Sequence, residues 1–129
     1  MCSILFTSKD IKDYDDINYY LKFRGPDDTS IVKDEVNNFT FIHNLLSMTG
    51  EFTTQPFQKD GIVCLYNGEI YNYKDFGDYK SDGYCIIDLY KKYGVNFVKK
   101  LDGEFAIALL DFNEDIILIA TDPFKTKPL

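Results

Sequence analysis

The sequence predicts an α+β fold with mainly antiparallel sheets, and three observations predict it. The chain opens on a short apolar run, Cys2-Ser3-Ile4-Leu5-Phe6-Thr7, bounded by Ser8-Lys9-Asp10, which has the length and flanks of a buried strand. It closes on two apolar runs, Phe105 to Leu110 and Ile116 to Ala120, with Phe112-Asn113-Glu114-Asp115 between them, the pattern of a hairpin. Between these ends, strand and helix signals do not alternate strictly, as they would in a doubly wound parallel sheet.

The remaining elements follow in order. Tyr14 to Phe23 carries apolar residues at Ile17, Tyr20 and Leu21 and predicts a short helix that stops at Arg24-Gly25-Pro26-Asp27, a loop sequence. Asn38 to His43 alternates, and Gly61 to Tyr66 is a continuous apolar run; both predict strands, joined by a loop containing Gly50 and Pro56. Ser81 is placed as an N-cap with Asp82 in the first turn. Ile86, Leu89, Tyr90 and Tyr93 then recur at helical spacing until Gly94, which closes the helix. Asn96 to Leu101 predicts a second short helix, followed by Gly103.

A chain of 129 residues fits one domain and can build one core. With 45% apolar and 27% charged residues, disordered, collagen-like and fibrous classes are excluded. The net charge of -7 repels phosphate backbones, and the basic clusters, Lys91-Lys92, Lys99-Lys100 and Lys125 with Lys127, are too short to reverse that, so no nucleic-acid partner is expected. No apolar run approaches the roughly 20 residues of a membrane-spanning helix, so no membrane partner is expected either. Nor does the N-terminus have the basic-then-apolar pattern of a signal peptide. Three cysteines, Cys2, Cys64 and Cys85, an odd number without a signal sequence, point to a reducing compartment, the cytoplasm. With His43 as the one histidine, a zinc site and a Ser-His-Asp triad both lack ligands or partners. No metal is expected.

The chemistry begins at Cys2. Cysteine is small enough for Met1 to be removed before it, leaving a free α-amine whose ordinary pKa lies near that of a thiol. A nucleophile carrying its own base needs no histidine. Further along, Tyr66-Asn67-Gly68-Glu69-Ile70-Tyr71-Asn72 follows the central apolar run. Asn-Gly after a strand is an ordinary turn signal. The same pair can also present an amide N–H and a backbone N–H to one oxygen, forming an oxyanion hole.

These strings occur together with Met1-Cys2-Ser3-Ile4, Arg24-Gly25-Pro26-Asp27, His43 with Leu46-Ser47, Gln55-Pro56, Ser81-Asp82, Leu101-Asp102-Gly103-Glu104-Phe105-Ala106 and Asp122 with Pro128-Leu129. In that order they resemble the class II glutamine amidotransferase domain of asparagine synthetases over essentially the whole chain. The resemblance implies a four-layer αββα sandwich of the N-terminal-nucleophile hydrolases, and hydrolysis of glutamine to glutamate and ammonia through a Cys2 thioester. It implies that Cys2 is the nucleophile and its own amine the base, that Asn67 and Gly68 hold the oxyanion, that Glu69 and Asp82 face the α-ammonium of glutamine, and that Leu46 and Thr49 line the pocket. It implies no cofactor for this chain; ATP and magnesium belong to an ammonia-accepting synthetase domain or partner. Cys64 and Cys85 are expected in the core, His43 as a satisfied structural histidine, and Arg24 with Asp27 as a pair that orders its loop.

Three departures from the family pattern stand out. Leu45 occupies the place of an arginine that the resemblance assigns to the substrate α-carboxylate. Thr121 and Lys125 replace an arginine and a glycine, so Lys125 stands where glycine permits a special backbone angle. The chain reaches only Leu129 and holds no Ser-Gly-Gly-x-Asp pyrophosphate loop. Residues 1–129 are therefore expected to form one amidotransferase domain, incomplete at its C-terminus, with an open sheet edge and no synthetase domain. Two other readings stay open: a degenerate amidotransferase domain acting as a binding or structural module, and an N-terminal-cysteine hydrolase acting on another amide.

Overall fold

The computed structural model describes residues 1–48 and 50–129. The elements run β1 (Ser3–Thr7), α1 (Tyr14–Leu21), β2 (Asp28–Asp34), β3 (Phe39–Leu45), β4 (Phe57–Lys59), β5 (Ile62–Ile70), α2 (Cys85–Tyr93), β6 (Gly103–Asp111) and β7 (Ile116–Thr121). The strands form two antiparallel sheets, one in the order β1-β3-β2 and one in the order β4-β5-β6-β7. The expected α+β class and the helix–sheet–sheet–helix layering are both present.

Period-2 alternation builds the layers. In β3, Phe39 and Phe41 face the second sheet and join Val63, Leu65, Ala108 and Leu110 in the core between the sheets, with Ile4, Phe6 and Val32 at its margin. The opposite face of β3 lies under α1, where Asn44 and Asn18 exchange side-chain amide hydrogen bonds of 2.7 and 3.1 Å and Tyr14 meets Thr40 at 3.2 Å. Asp13 caps α1 by accepting from the Asp15 and Asp16 N–H groups, satisfying two of the donors a helix start leaves free. On the outer face of the second sheet, Cys85, Ile86, Leu89 and Tyr90 of α2 pack on Cys64, Ile107 and Leu109. Each large apolar side chain buried there contributes about 1.5–3 kcal/mol. No helix among the described residues is long and apolar enough to cross a membrane.

The structure departs from the expected elements at three points. The segment Asp28–Asp34, given no element from the sequence, is β2; its residues alternate between partly buried and exposed, so only half of each pleat carries an apolar signal. The long loop before Gly61 contains β4, joined to β5 by Asp60 (φ 51°) and Gly61 (φ 76°), a two-residue turn with both residues left-handed. Ser81 makes no side-chain capping bond; it precedes a 3-10 turn, Asp82–Tyr84, that leads into α2. The short helix expected at Asn96 to Leu101 is present as a 3-10 stretch, Gly94–Lys100. Gly94 itself closes α2 with φ 59°, as its position required.

His43 departs from expectation in one respect. It is 1% exposed between the sheets, yet its Nε2 has no hydrogen-bond partner among the described residues. Burial lowers its pKa to about 4 from 6.5, against the opposing influence of Asp28 and a backbone contact at Tyr66. Between those pH values the unfolded chain binds a proton that the folded chain excludes. Stability from this residue is therefore complete above pH 6.5 and is lost as pH falls through 4, by about 3 kcal/mol in total. Urea unfolding at pH 7 and pH 4 is expected to show this loss, and His43→Gln is expected to flatten it.

Candidate active site

A cavity opens at the end of the sandwich where β1 begins, β3 ends and β5 runs out. Cys2, immediately before β1, reaches into it between two backbones. Its N–H donates to Asn67 Oδ1 at 3.0 Å, and its Sγ accepts from the Leu46 N–H at 3.3 Å. Asn67 is 3% exposed and lines the same cavity. With Oδ1 engaged by the Cys2 N–H, the amide N–H₂ of Asn67 remains as a donor. Gly68, Glu69, Leu46 and Asp82 also line this cavity, so the structure brings together every candidate residue except Thr49, which lies outside the described residues.

Gly68 is required by the approach of β6. A Cβ there would sit 2.1 Å from the Glu104 carbonyl oxygen and 2.7 Å from Phe105 Cα. Gly25, on the far side, is held as tightly: a Cβ there would lie 2.1 Å from the Asn44 carbonyl oxygen. This packs the Arg24-Gly25-Pro26-Asp27 loop against the end of β3. Arg24 and Asp27 do not pair, contrary to expectation. Asp27 accepts from the Ser47 N–H at 2.8 Å, while Arg24 Nε donates to the Cys2 carbonyl at 3.4 Å. The loop is ordered by two separate clamps, one on each side of the thiol.

The thiol is not ionised at rest. Burial raises the Cys2 pKa above its ordinary value. The Leu46 N–H and the N-terminal charge act against that shift, and the Asp82 and Asp27 carboxylates add to it. A thiol in this state needs a base to become nucleophilic, and its own backbone nitrogen is the adjacent nitrogen. The other two cysteines are inert by environment: both are buried, and burial pushes Cys85 up to about 12 and Cys64 higher still.

Asp82 is held on both oxygens. Oδ2 accepts from the Tyr66 O–H at 2.5 Å and the Ile70 N–H at 2.8 Å. Oδ1 accepts from the Gly83 N–H at 2.9 Å and Ser81 Oγ at 3.2 Å. Tyr66 is the residue that sequence reasoning missed here, because it sits inside an apolar run. Burial, followed by the neighbouring Asp82 charge, raises its pKa far above 10, so it stays a donor. Its own N–H is taken by Gln55 Oε1 at 2.7 Å. Removing the hydroxyl leaves a fixed carboxylate short of a donor. Tyr66→Phe is therefore expected to cost about 2 kcal/mol in urea unfolding, without changing the core packing of the ring.

Leu45, at the end of β3, presents an apolar wall to the cavity, in line with its departure from the expected arginine. The cationic side chain that the cavity does have was also missed. Lys127 lines it and binds Glu104 Oε1 at 2.9 Å, with 12% of its side chain exposed. Asp122 delivers it there. Asp122 accepts from the N–H groups of Phe105, Phe124 and Thr126 and from Thr126 Oγ1. Burial pushes the Asp122 carboxyl up, but the bonds from Thr126, Phe124 and Phe105 outweigh it and hold the group below its ordinary value. Within this turn Lys125 adopts φ 53°, the left-handed angle that its replacement of glycine implies, at a cost of about 1–2 kcal/mol.

A family model described as a glutamine amidotransferase domain matches residues 1–129. The chain is 36% identical over 121 residues to glutamine-hydrolysing asparagine synthetase 2 of Bacillus subtilis, covering 84% of the chain and 16% of that protein. It is 34% identical over 148 aligned positions to glutamine-hydrolysing asparagine synthetase 1 of Saccharomyces cerevisiae, covering 100% of the chain and 25% of that protein. It is 36% identical over 95 residues to amidase chyE of Penicillium rubens, covering 65% of the chain and 14% of that protein. The chain thus spans a quarter or less of the length of each of these relatives.

Proposed function

Because the chain belongs to the glutamine amidotransferase domain family, we propose that it hydrolyses glutamine to glutamate and ammonia through Cys2. The observation that carries this reading is the 3.0 Å contact of the Cys2 nitrogen with Asn67 Oδ1. It sets the nucleophile, its base and an amide donor in one cavity. With Met1 removed, the Cys2 nitrogen is a free amine. It takes the thiol proton as Sγ attacks the γ-amide carbon. The carbonyl oxygen becomes an oxyanion, held by the Asn67 N–H₂ and the Gly68 N–H. The carbon–nitrogen bond then breaks, the proton passes from the Cys2 amine to the leaving nitrogen, and ammonia departs. Water cleaves the thioester, releasing glutamate and restoring the thiol. Asp82 and Glu69 bind the α-ammonium; Asp82 is pre-oriented by Tyr66, so little ordering is left to do when substrate arrives.

Ammonia released in this way serves an amidation on a synthetase domain or partner, as the names of the matched asparagine synthetases suggest. ATP and magnesium act there, and this chain itself uses no cofactor. The free thiols of Cys2, Cys64 and Cys85 support a cytoplasmic location.

The test is chemical. Processed chain is incubated with an electrophilic glutamine analogue, and its intact mass is read before and after. One adduct on Cys2 that glutamine blocks, with equal release of glutamate and ammonia from glutamine, supports the reading. Folded, processed chain that takes no adduct and releases no glutamate overturns it.

A further inference from the structure

Glutamine at neutral pH is a zwitterion. Its α-ammonium and α-carboxylate sit on one carbon, so the two charges are bound side by side. The cavity that receives it carries three carboxylates, Glu51, Glu69 and Asp82. Two of them suffice for the ammonium. A carboxylate placed beside them with no cation would be repelled by their charge. Leu45 offers none.

Among the described residues, Lys127 is the one cationic side chain lining this cavity. Its position is built. The Asp122 turn carries the chain back onto β6, and Glu104 fixes the ammonium at 2.9 Å. Glu104 lies directly opposite Glu69 in the β5–β6 ladder, which places Lys127 beside one of the two carboxylates assigned to the substrate ammonium. A lysine has three donors, and Glu104 takes one of them here.

We propose that Lys127 binds the α-carboxylate of glutamine and so makes the site specific for free amino-acid amides. This rests on the glutamine reading above and adds the residue that selects the substrate's carboxylate. The interaction is a charge-assisted hydrogen bond from a lysine with 12% of its side chain exposed, and its loss is expected to be felt at the level of binding.

The experiment uses the full, Met1-processed chain and two substrates: glutamine, and glutaminamide, in which the α-carboxylate is replaced by an amide. Lys127→Gln is expected to raise KM for glutamine about tenfold to a hundredfold while kcat changes by less than about threefold. KM for glutaminamide is expected to stay where it is in the parent chain, and Lys127→Arg to recover most of the affinity for glutamine. Equal KM increases for glutamine and glutaminamide would assign Lys127 a structural role and overturn the proposal. Unchanged KM in Lys127→Gln, in a parent chain that hydrolyses glutamine, overturns this proposal alone. A parent chain that neither binds nor hydrolyses glutamine overturns the functional reading with it.

Discussion

Cys2→Ala is expected to reduce glutamate release at least about a thousandfold, because it removes the atom that attacks and leaves only solvent to do so. The fold is expected to survive. Cys2 precedes β1, its side chain accepts one hydrogen bond, from the Leu46 N–H, and the core of the sandwich lies beyond it. Glutamine binding is expected to persist for the same reason: the groups assigned to the substrate's charges, Asp82, Glu69 and Lys127, are positioned by Tyr66, the β5–β6 ladder and the Asp122 turn, and not by the thiol. The decisive comparison is glutamate release against glutamine affinity, measured by calorimetry on the same preparation. Residual activity within about tenfold of the parent would mean that another group does the chemistry.

The second large effect is expected from Gly68→Ala. The added methyl would meet the Glu104 carbonyl oxygen at 2.1 Å and Phe105 Cα at 2.7 Å. Both are backbone atoms of a strand buried on both faces, so neither can swing aside. β5 must move away from β6, at a cost of about 3 kcal/mol, seen as a lower urea midpoint. The same displacement moves the Asn67 and Gly68 donors off the position of the developing oxyanion. Loss of one such donor costs about a hundredfold to a thousandfold in kcat, and here two move together. A variant that kept the parent's kcat would show that the oxyanion lies elsewhere.

Parts of this molecule were legible before any coordinates. The β6–β7 hairpin and α2 were visible because their side chains are sorted by burial: β6 is buried along nearly its whole length, and α2 sets one apolar stripe against the sheet. β2 was invisible because Asp28-Thr29-Ser30-Ile31-Val32-Lys33-Asp34 lies at a sheet edge and buries little. β4 was too short to show a period, although Asp60-Gly61, a strong two-residue hairpin signal, stood at its end. In the site, Cys2 and the Asn67-Gly68 pair stood out because their residue types serve acyl transfer, whereas Glu69 and Asp82 entered only through the resemblance. Tyr66 and Lys127 were not legible. A tyrosine in an apolar run resembles core, and a lysine in a polar tail resembles solvated surface. Their roles come from what other segments bring to them: Asp82 to the hydroxyl of one, and Glu104 to the ammonium of the other.

The contact between Cys2 and Asn67 joins residues 65 positions apart, and this has a consequence in time. The β4–β5 and β6–β7 hairpins close short loops and can form early, while β1 must find β3 across the segment that carries α1 and β2. Contacts of long separation close late, after the local ones have reduced the entropy of the chain. Cys2 and β1 are thus among the last parts of the chain to be seated. Until the two sheets stack, Cys2 is an ordinary thiol without its amide partner. The pairing of the Cys2 nitrogen with the Asn67 amide therefore exists only once the two sheets have stacked.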